Sequence, residues 1–395
     1  MQISPETQLF IREHSSDDVR VLALQAKKYP DIDMPTAITQ IAGRKVAAEK
    51  IPSWWEIEKI WYPKHLSLEQ CSSEITARYK ARLLQGDSLT DLTGGFGIDC
   101  SFLATGFKST TYVERQEELC EIAAHNFPVL SLNHINIKNE DGVTYLQAMS
   151  PVDCLFLDPA RRNEHGGKTV AISDCEPNVA ELEELLLQKA NRVMIKLSPM
   201  LDLSLALKEL KQTQEVHILS VNNECKELLI LLGQTSPAEI SIHCVNLFTK
   251  GTQKEQHFVF TREQEQCSEC TYTDSLETYL YEPNASLLKA GAFRSIAAAY
   301  PVRKLHPNSH LYTSDTFIEN FPGRIFRIVN QCSFNKKEVK ENLADLKKAN
   351  VTVRNFPATV AELRKRIHLA EGGDTYLFAS TLNNGQKVLI RCEKV

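Results

Sequence analysis

The chain has 395 residues, of which 43% are hydrophobic and 24% charged, and its formal net charge is −5. This length suffices for two or three domains with separate cores, and the composition excludes a disordered or fibrous protein. The slightly acidic balance gives no general attraction to nucleic acid, and no apolar run has the length of a membrane span. The first residues lack a signal-peptide pattern and the eleven cysteines show no framework of spacings, so we expect a cytoplasmic protein with reduced thiols.

Residues 1–70 predict an N-terminal helical domain. The segments SSDDVRVLALQAKKY and MPTAITQIAGRKVAAEKI carry apolar residues at helical spacing. The segment SWWEIEKIWY continues this pattern and contains Trp54, Trp55 and Trp61. We interpret these tryptophans as packing of the helical layer on the next domain, with stacking on nucleic-acid bases as the alternative.

Strand and helix patterns alternate from residue 71 onward. The predicted strands are 88–92, 109–114, 134–137, 153–158, 192–197 and 215–221, and the predicted helices are 98–105, 115–126, 178–190 and 202–211. This alternation is typical of a parallel sheet with helices on both faces. The segment VHILSVNNECKELLILLG then predicts an antiparallel hairpin. Rossmann-like methyltransferases end their sheet in this way, whereas dehydrogenases usually end with another parallel strand.

The segment DLTGGFG, residues 91–97, follows the first strand of this sheet. We expect Gly95 and Gly97 to let the backbone approach a ligand at the start of the next helix, where N–H groups are unpaired. Asp91 would repel a pyrophosphate but would suit an amino group or a sulfonium, and Thr93 adds a hydroxyl. The alternative is a solvated turn residue beside a structural glycine loop.

Two further acids follow the next two strands. Glu114 ends the second strand, where a carboxylate can accept both hydroxyls of a ribose. Asp141 follows the third strand, where a carboxylate can accept the exocyclic amine of adenine. Together with Asp91, these residues predict a nucleoside pocket, although each alone could be a surface acid.

The segments DLTGGFG, TYVERQ, NEDGVTYL and LFLDPARR occur in an order that resembles the class I S-adenosylmethionine-dependent methyltransferases. The resemblance covers roughly residues 70–235 and implies S-adenosylmethionine as cofactor. It implies that Asp91, Gly95 and Gly97 form the cofactor loop, that Glu114 binds the ribose, and that Asp141 binds the adenine.

The segment EQCSSEITARYK, upstream of the glycine loop, resembles the Ser/Thr-Pro-Glu helix start of some RNA cap and base methyltransferases. Ser73 and Glu74 occupy the matching positions, which implies that Ser73 helps to close the cofactor pocket. A plain helix cap is the alternative interpretation of Ser73.

The segment DPARR begins at the end of the fourth strand. It is similar to the Asp/Asn-Pro-Pro-aromatic motif of exocyclic-amine methyltransferases, which implies catalytic roles for Asp158 and Pro159. Arg161, the third candidate catalytic residue, stands at the aromatic position and could grip a phosphate or a carboxylate. The second proline and the aromatic residue are replaced here, however. The segment is also similar to the Asp-Pro-Pro-Arg motif of RNA 5-methyluridine methyltransferases, which attack the base with a cysteine. Cys225 is then a conceivable nucleophile, and an ordinary thiol is the alternative.

Several side chains near the same edge are candidate substrate contacts. Arg162 could grip a phosphate or a carboxylate, and structural pairing is the alternative. Lys196 and Ser198, in KLSPMLD, follow the next strand and could touch the substrate. Cys267 and Cys270 form one CxxC pair with no second pair, so we predict no metal site.

Residues from about 281 onward resemble a C-terminal extension found on a group of methyltransferases, with a ferredoxin-like segment at 280–322 and a THUMP-like domain at 323–395. THUMP domains bind RNA, so this resemblance implies an RNA substrate, either tRNA or rRNA. Residues 286–371 contain 15 lysines and arginines against 7 acidic residues, which agrees with this. The candidate phosphate contacts are Arg354, Arg364, Lys365 and Arg366, and a dimerisation surface is the alternative.

The sequence therefore predicts an α/β protein with a Rossmann-like methyltransferase sheet, parallel and ending in an antiparallel hairpin, between a helical N-terminal layer and a C-terminal α+β module. The predicted domains are 1–70, 71–262, 280–322 and 323–395. We expect methyl transfer from S-adenosylmethionine to structured RNA. An RNA- or protein-binding scaffold without chemistry and an NAD-type oxidoreductase are the alternatives.

Overall fold

The computed structural model describes residues 3–64, 68–69, 71–161, 171–235 and 237–395. The chain divides into two compact units, the first made of residues 1–214 and 228–237, and the second of residues 215–227 and 238–395. Among the described residues, the helices are too short or too polar to cross a bilayer.

The N-terminal layer is helical, as predicted. Its helices are α1 (Pro5–Glu13), α2 (Val19–Leu24), α3 (Met34–Lys50) and α4 (Pro52–Trp55). The buried indole of Trp54 packs edge-on against Phe96 of the glycine loop, with 5.2 Å between ring centroids. Trp61 stacks on His125 at 3.7 Å. The two tryptophans therefore hold this layer against the segment that follows, whereas Trp55 is 42% exposed.

One large, mostly parallel sheet occupies the middle of the chain. Its strands are β1 (Ser88–Asp91), β2 (Ser109–Glu114), β3 (Ile135–Asn139), β4 (Val152–Leu157), β7 (Ala190–Leu197), β8 (Thr213–Val221), β9 (Glu224–Gly233), β10 (Ser241–Leu247) and β11 (Glu255–Thr261). A separate two-stranded ribbon contains β5 (Ala160–Arg161) and β6 (Cys175–Glu176). The order in the large sheet is β11-β10-β8-β9-β7-β4-β1-β2-β3.

Strands β1, β2, β3, β4 and β7 run parallel, and β9 runs antiparallel to β7. Asn222 and Asn223 join β8 to β9, and both have positive φ, at 49° and 69°. Two successive left-handed residues form the tight turn that suits a two-residue hairpin, and asparagine tolerates this conformation. The predicted hairpin is confirmed, but it does not end the sheet, because β10 pairs with β8 and β11 pairs with β10 beyond it.

Helices connect the parallel strands. They are α6 (Ile98–Ala104), α7 (Glu117–Val129), α8 (Gly142–Ala148), α9 (Val179–Lys189) and α10 (Leu203–Glu209), and a further helix, α5 (Glu74–Ala81), precedes β1. Residues 154–157 of β4 and 193–197 of β7 are continuously buried, as expected for strands covered on both faces. All carboxyl ends of the parallel strands meet at one edge, and the candidate site lies there.

The rest of the chain forms a second sheet with its own core. Its strands are β12 (Tyr279–Pro283), β13 (Arg303–Lys304), β14 (Tyr312–Ser314), β15 (Gly323–Ser333), β16 (Asn350–Val353), β17 (Thr375–Thr381) and β18 (Lys387–Lys394). Its helices are α11 (Arg262–Cys267), α12 (Ala285–Ala290), α13 (Ser295–Ala299), α14 (Lys336–Leu343) and α15 (Val360–Ile367). The strand order is β13-β14-β12-β15-β18-β17-β16. The predicted α+β character of this region is confirmed.

Candidate active site

The glycine loop after β1 leaves open space beside a buried acid. Asp91 is 1% exposed, and its Oδ1 accepts a hydrogen bond from the Thr93 backbone N–H at 3.0 Å. Gly95 and Gly97 have φ of +54° and +85°, which disfavours any residue with a side chain. A Cβ atom added to Gly95 would have Thr93 O, 3.7 Å away, as its nearest neighbour, so the space over Gly95 is open to a ligand. A Cβ atom added to Gly97 would lie 3.0 Å from the Phe127 ring, so Gly97 packs against that ring rather than facing open space as predicted.

Glu114, at the end of β2, is held against the same loop. One carboxylate oxygen accepts the Gly95 N–H at 2.9 Å, and the other accepts the Gln116 N–H at 2.8 Å. These two bonds fix the carboxylate across the ends of β1 and β2. Since a carboxylate oxygen has two lone pairs, each oxygen can accept a further hydrogen bond from a ligand hydroxyl.

Asp141, after β3, caps helix α8. Its Oδ1 accepts the backbone N–H groups of Val143 at 3.1 Å and Thr144 at 3.0 Å. The sequence interpretation of Asp141 as a ligand for adenine did not include this capping role. The N–H groups of α8 therefore hold the Asp141 side chain in position, at the same edge of the sheet as Glu114.

Asp158, just after β4, connects to both neighbouring strands. Its backbone N–H donates to the Thr93 hydroxyl at 2.6 Å, and its Oδ2 lies 2.5 Å from Lys196 Nζ. Lys196 is on β7 and is 8% exposed. The predicted catalytic acid and one predicted substrate contact are therefore an ion pair.

Three further residues extend this ion pair and were not predicted from the sequence. Asp99, on α6, lies 2.8 Å from the fully buried ammonium of Lys80 and 3.5 Å from Lys196. The hydroxyl of Ser72 donates to Asp99 at 2.7 Å and accepts from Lys80 at 2.8 Å. The result is a chain of alternating charges that runs from Lys80 to Asp158.

The acids of this edge differ in protonation. Burial raises the pKa of Asp91 well above its usual range, and the nearby acids raise it further. Burial also raises the pKa of Asp158, although Lys196 opposes the shift. For Asp99 the two lysines outweigh burial, so its pKa lies below the usual range. The site therefore combines one firmly ionised acid with two acids that hold a proton more readily.

The other residues predicted at this edge are placed as follows. Pro159 is buried directly after Asp158. Arg161 lies in β5, and Arg162 lies outside the described residues. The Ser198 hydroxyl accepts the Met200 N–H at 3.3 Å, so it takes part in the turn after β7.

Ser73 occupies the residue before α5 but does not cap the helix with its side chain. Its hydroxyl lies 3.2 Å from the Thr76 hydroxyl. The neighbouring Ser72 was not singled out in the sequence. Its hydroxyl donates a hydrogen bond to Asp99, so Ser72 rather than Ser73 contacts the chain of charges that ends at Asp158.

The predicted phosphate contacts of the C-terminal region have different environments. Arg354 pairs with the buried carboxylate of Glu282 at 3.2 Å. Arg364 donates to the Ala349 carbonyl at 3.1 Å. Lys365 and Arg366 are exposed near the end of α15, with the Arg366 guanidinium 4.0 Å from the centre of the Phe334 ring. The last two residues have the exposure that a phosphate contact requires.

The cysteines singled out in the sequence carry no sign of reactivity. Cys225 is the second residue of β9, and burial raises its pKa to about 11. Its thiolate is therefore scarce at neutral pH, which argues against a nucleophile. Cys267 and Cys270 are unpaired by any disulfide.

The order β3-β2-β1-β4-β7-β9-β8, with β9 antiparallel, is the sheet of the class I methyltransferases. Residues 279–322 match a ferredoxin-like domain family, and residues 323–394 match a THUMP domain-like family. The protein is thus a class I methyltransferase-type protein with a ferredoxin-like and THUMP-like extension.

Two solved structures described as a "putative methyltransferase" are similar to the chain. One, from Porphyromonas gingivalis W83, is 34% identical over 100% of both chains, with a TM-score of 0.87. The chain belongs to the family of this protein. The other, from Streptococcus mutans and in complex with SAH, is 12% identical over 40% of this chain and 96% of its own, with a TM-score of 0.30.

An rRNA methylase from Streptococcus thermophilus is 14% identical over 40% of this chain and 93% of its own, also with a TM-score of 0.30. No curated protein matches the chain.

Proposed function

We propose that the protein transfers a methyl group from S-adenosylmethionine to structured RNA, either tRNA or rRNA. The observation that carries the proposal is the edge formed by Asp91, Glu114 and Asp158 beside an open glycine loop. A buried carboxylate next to that loop suits the cationic end of S-adenosylmethionine, and it would repel the pyrophosphate of a dinucleotide. The donor set therefore fits this cofactor better than NAD.

The residues of this chain have separate roles in the proposed reaction. Asp91 would bind the amino acid end of the cofactor. Glu114 would accept hydrogen bonds from the ribose hydroxyls, and Asp141 would accept one from the exocyclic amine of adenine. The bound cofactor supplies an electrophilic methyl group on a sulfonium. Asp158 would accept a hydrogen bond from the N–H or O–H of the acceptor and so orient the acceptor's lone pair toward the methyl carbon. When the new bond to the methyl group forms, S-adenosylhomocysteine would leave and the acceptor's proton would pass to the Asp158 carboxylate. Placement of this kind can supply much of the rate.

Lys196 keeps the carboxylate of Asp158 in its ionised, hydrogen-bond-accepting form. The ammonium lies 2.5 Å from Asp158 Oδ2 and opposes the effect of burial on the pKa of that acid. We infer that Lys196 acts through Asp158, as a positioning residue, rather than on the RNA itself.

RNA as the acceptor is supported by the C-terminal region. Its THUMP domain-like match and its surplus of lysines and arginines agree with a phosphate-binding surface. Lys365 and Arg366 are the exposed members of the predicted set, so they are the first candidates for contact with the RNA backbone.

Calorimetric titration with S-adenosylhomocysteine tests the cofactor assignment. We expect micromolar binding that falls at least tenfold in Asp91→Asn and in Glu114→Gln. The control is Asp87→Asn, which removes an exposed acid paired with Lys108 and should leave binding unchanged. Absence of binding by the wild type would overturn the assignment.

Transfer of a labelled methyl group to total tRNA and rRNA tests the reaction. Asp158→Asn should abolish incorporation while S-adenosylhomocysteine still binds. If the protein binds the cofactor but labels neither RNA, the assignment of RNA as the acceptor is wrong, whereas the assignment of the cofactor pocket stands. A variant that keeps full incorporation would remove Asp158 from the mechanism.

A further inference from the structure

Three strands of the second unit bring histidines together on one sheet face. His217 on β8 lies directly opposite His243 on β10, and their rings stack with 4.3 Å between centroids. His257 on β11 lies diagonally from His243, with 5.3 Å between centroids. Since side chains two residues apart share a face, Glu215 joins this group beside His217.

The donor atoms of this histidine cluster, defined as Glu215, His217, His243 and His257, converge. His217 Nε2 lies 3.2 Å from Glu215 Oε2, and His243 Nδ1 lies 3.1 Å from His257 Nε2. One donor atom from each of Glu215, His217 and His243 lies within 4.8 Å of the other two. Two ligands of a tetrahedral zinc ion, each about 2.0 to 2.1 Å from the metal, stand about 3.3 Å apart.

The cluster is open to solvent on one side, and one of its rings, that of His243, is uncharged at neutral pH. The side chain of His217 is 3% exposed and that of Glu215 is 32% exposed, so solvent reaches the cluster from the carboxylate side. Burial, together with the neighbouring His217 and His257, lowers the pKa of His243 to about 4. His243 is therefore neutral at pH 7, and a neutral imidazole has the lone pair that a metal needs.

We propose that Glu215, His217 and His243 form a binding site for a divalent transition metal, with zinc as the best fit. Two imidazoles and one carboxylate are donors that zinc accepts, and a water molecule completes a tetrahedral set. His257 supports the site from outside, because its hydrogen bond to Nδ1 of His243 orients that ring. The metal would then bind Nε2 of His243 and displace its present contact with the Ser241 hydroxyl at 3.2 Å. The ion cross-links β8 to β10, which are held otherwise by backbone hydrogen bonds.

The sequence gives little sign of this site. Its residues are spread over strands 26 and more positions apart, and they come together because β8 and β10 pair in register at His217 and His243. The CxxC pair is the stronger sequence pattern for zinc, and its thiols would compete in any binding experiment. A variant that lacks them is therefore the proper starting point.

Zinc chloride titrated by calorimetry into the full-length Cys267→Ser/Cys270→Ser protein, after treatment with a chelator, tests the proposal. We expect one zinc ion per chain, with affinity reduced at least tenfold in His243→Gln and in Glu215→Gln. The control His134→Gln changes a histidine that contacts the Ala104 carbonyl instead, and it should bind zinc like its parent.

Thermal unfolding gives a second measurement that does not depend on stoichiometry. Zinc should raise the melting temperature of the parent protein, because it binds only the folded site, and should leave that of His243→Gln unchanged. Retained binding of S-adenosylhomocysteine by His243→Gln would show that this variant is folded. Failure of the parent to bind zinc, or zinc binding by His243→Gln and Glu215→Gln as tight as that of the parent, would overturn the proposal.

Discussion

The hydroxyl of Thr93 accepts a hydrogen bond from the backbone N–H of Asp158, at 2.6 Å. This bond ties the glycine loop after β1 to the reacting edge after β4, so the proposed cofactor and acceptor sites share one anchor. The Thr93 backbone N–H donates to Asp91 at the same time. One residue thus sets the positions of two acids.

Thr93→Val should lower the turnover of methyl transfer more than it lowers cofactor affinity. Valine has the shape of threonine but cannot accept the Asp158 N–H, and an unpaired N–H at such a site costs about 1 to 3 kcal/mol. The split between kcat and KM for S-adenosylmethionine measures this. Thr93→Ser keeps the hydroxyl and is the matched control. Equal kinetics for the two variants would contradict the anchoring role.

Lys196→Met should move the acid limb of the pH–rate profile to higher pH. The ammonium of Lys196 lowers the pKa of Asp158 against the effect of burial, so its loss lets that pKa rise further. The ionised form of Asp158 then requires more alkaline conditions. Methyl incorporation measured from pH 5 to 9 tests the shift. In Lys196→Arg, which keeps the positive charge, the acid limb should lie close to its wild-type position. An acid limb that does not move in Lys196→Met would show that Lys196 does not control the ionisation of Asp158.

Lys80→Met should destabilise the protein strongly. Lys80 is fully buried and pairs with Asp99 at 2.8 Å, and removal of one partner of a buried pair costs about 3 to 5 kcal/mol. Urea unfolding measures the difference. The matched control is Lys108→Met, whose exposed pair with Asp87 should be worth less than about 1 kcal/mol. If Lys80→Met and Lys108→Met lower the free energy of unfolding by similar amounts, burial of the Lys80–Asp99 pair is not the source of the effect.

Asp91→Asn should stabilise the protein at neutral pH while it weakens cofactor binding. Because burial raises the folded-state pKa of Asp91, its contribution to stability is fully present below the unfolded-state pKa. That contribution is lost as the pH rises through the folded-state pKa. Asparagine does not titrate, so the variant should be more stable than wild type at pH 8.

The gain in Asp91→Asn should shrink as the pH falls. Urea unfolding at pH 8 and pH 5 measures it, with Asp87→Asn as the exposed control. A constant difference between the two pH values would show that the charge of Asp91 is not the cause.

Lys365→Glu and Arg366→Glu should weaken RNA binding and flatten its dependence on salt. Each phosphate contact that is lost reduces the slope of log affinity against log salt by about 0.7 to 0.9. Fluorescence anisotropy with tRNA over a salt series measures this. Glu371→Gln alters a neighbouring exposed side chain without removing a cation, so it should keep the slope. An unchanged slope in both charge reversals would place the RNA elsewhere.

The sheet was predictable because its strands are short apolar runs bounded by turns and helices. β1, β2 and β4 begin and end within one residue of their predicted bounds. Helix α8 was missed, since the segment NEDGVTYL was interpreted for its acid, and Asp141 turned out to cap that helix. A single residue can hold both roles, and the sequence pattern favoured the ligand role alone.

The charged network was only partly predictable. Asp158 and Lys196 were both singled out, but their pairing depends on β4 lying next to β7, which spacing along the chain does not reveal. Lys80 and Asp99 were missed because a lysine or aspartate in an amphipathic helix normally faces solvent. Only the packing of α5 near α6 shows that these two charges are buried together.

The ferredoxin-like and THUMP-like segments share one sheet, in which β12 is hydrogen-bonded to both β14 and β15. A fragment that ends at residue 322 would expose an edge of β12, and one that begins at residue 323 would leave β15 without that neighbour. Exposed edges of this kind invite aggregation. The two segments should therefore be expressed and transferred to other proteins together, and they should occur together in evolution. A fusion protein that folds should have its boundary before β12.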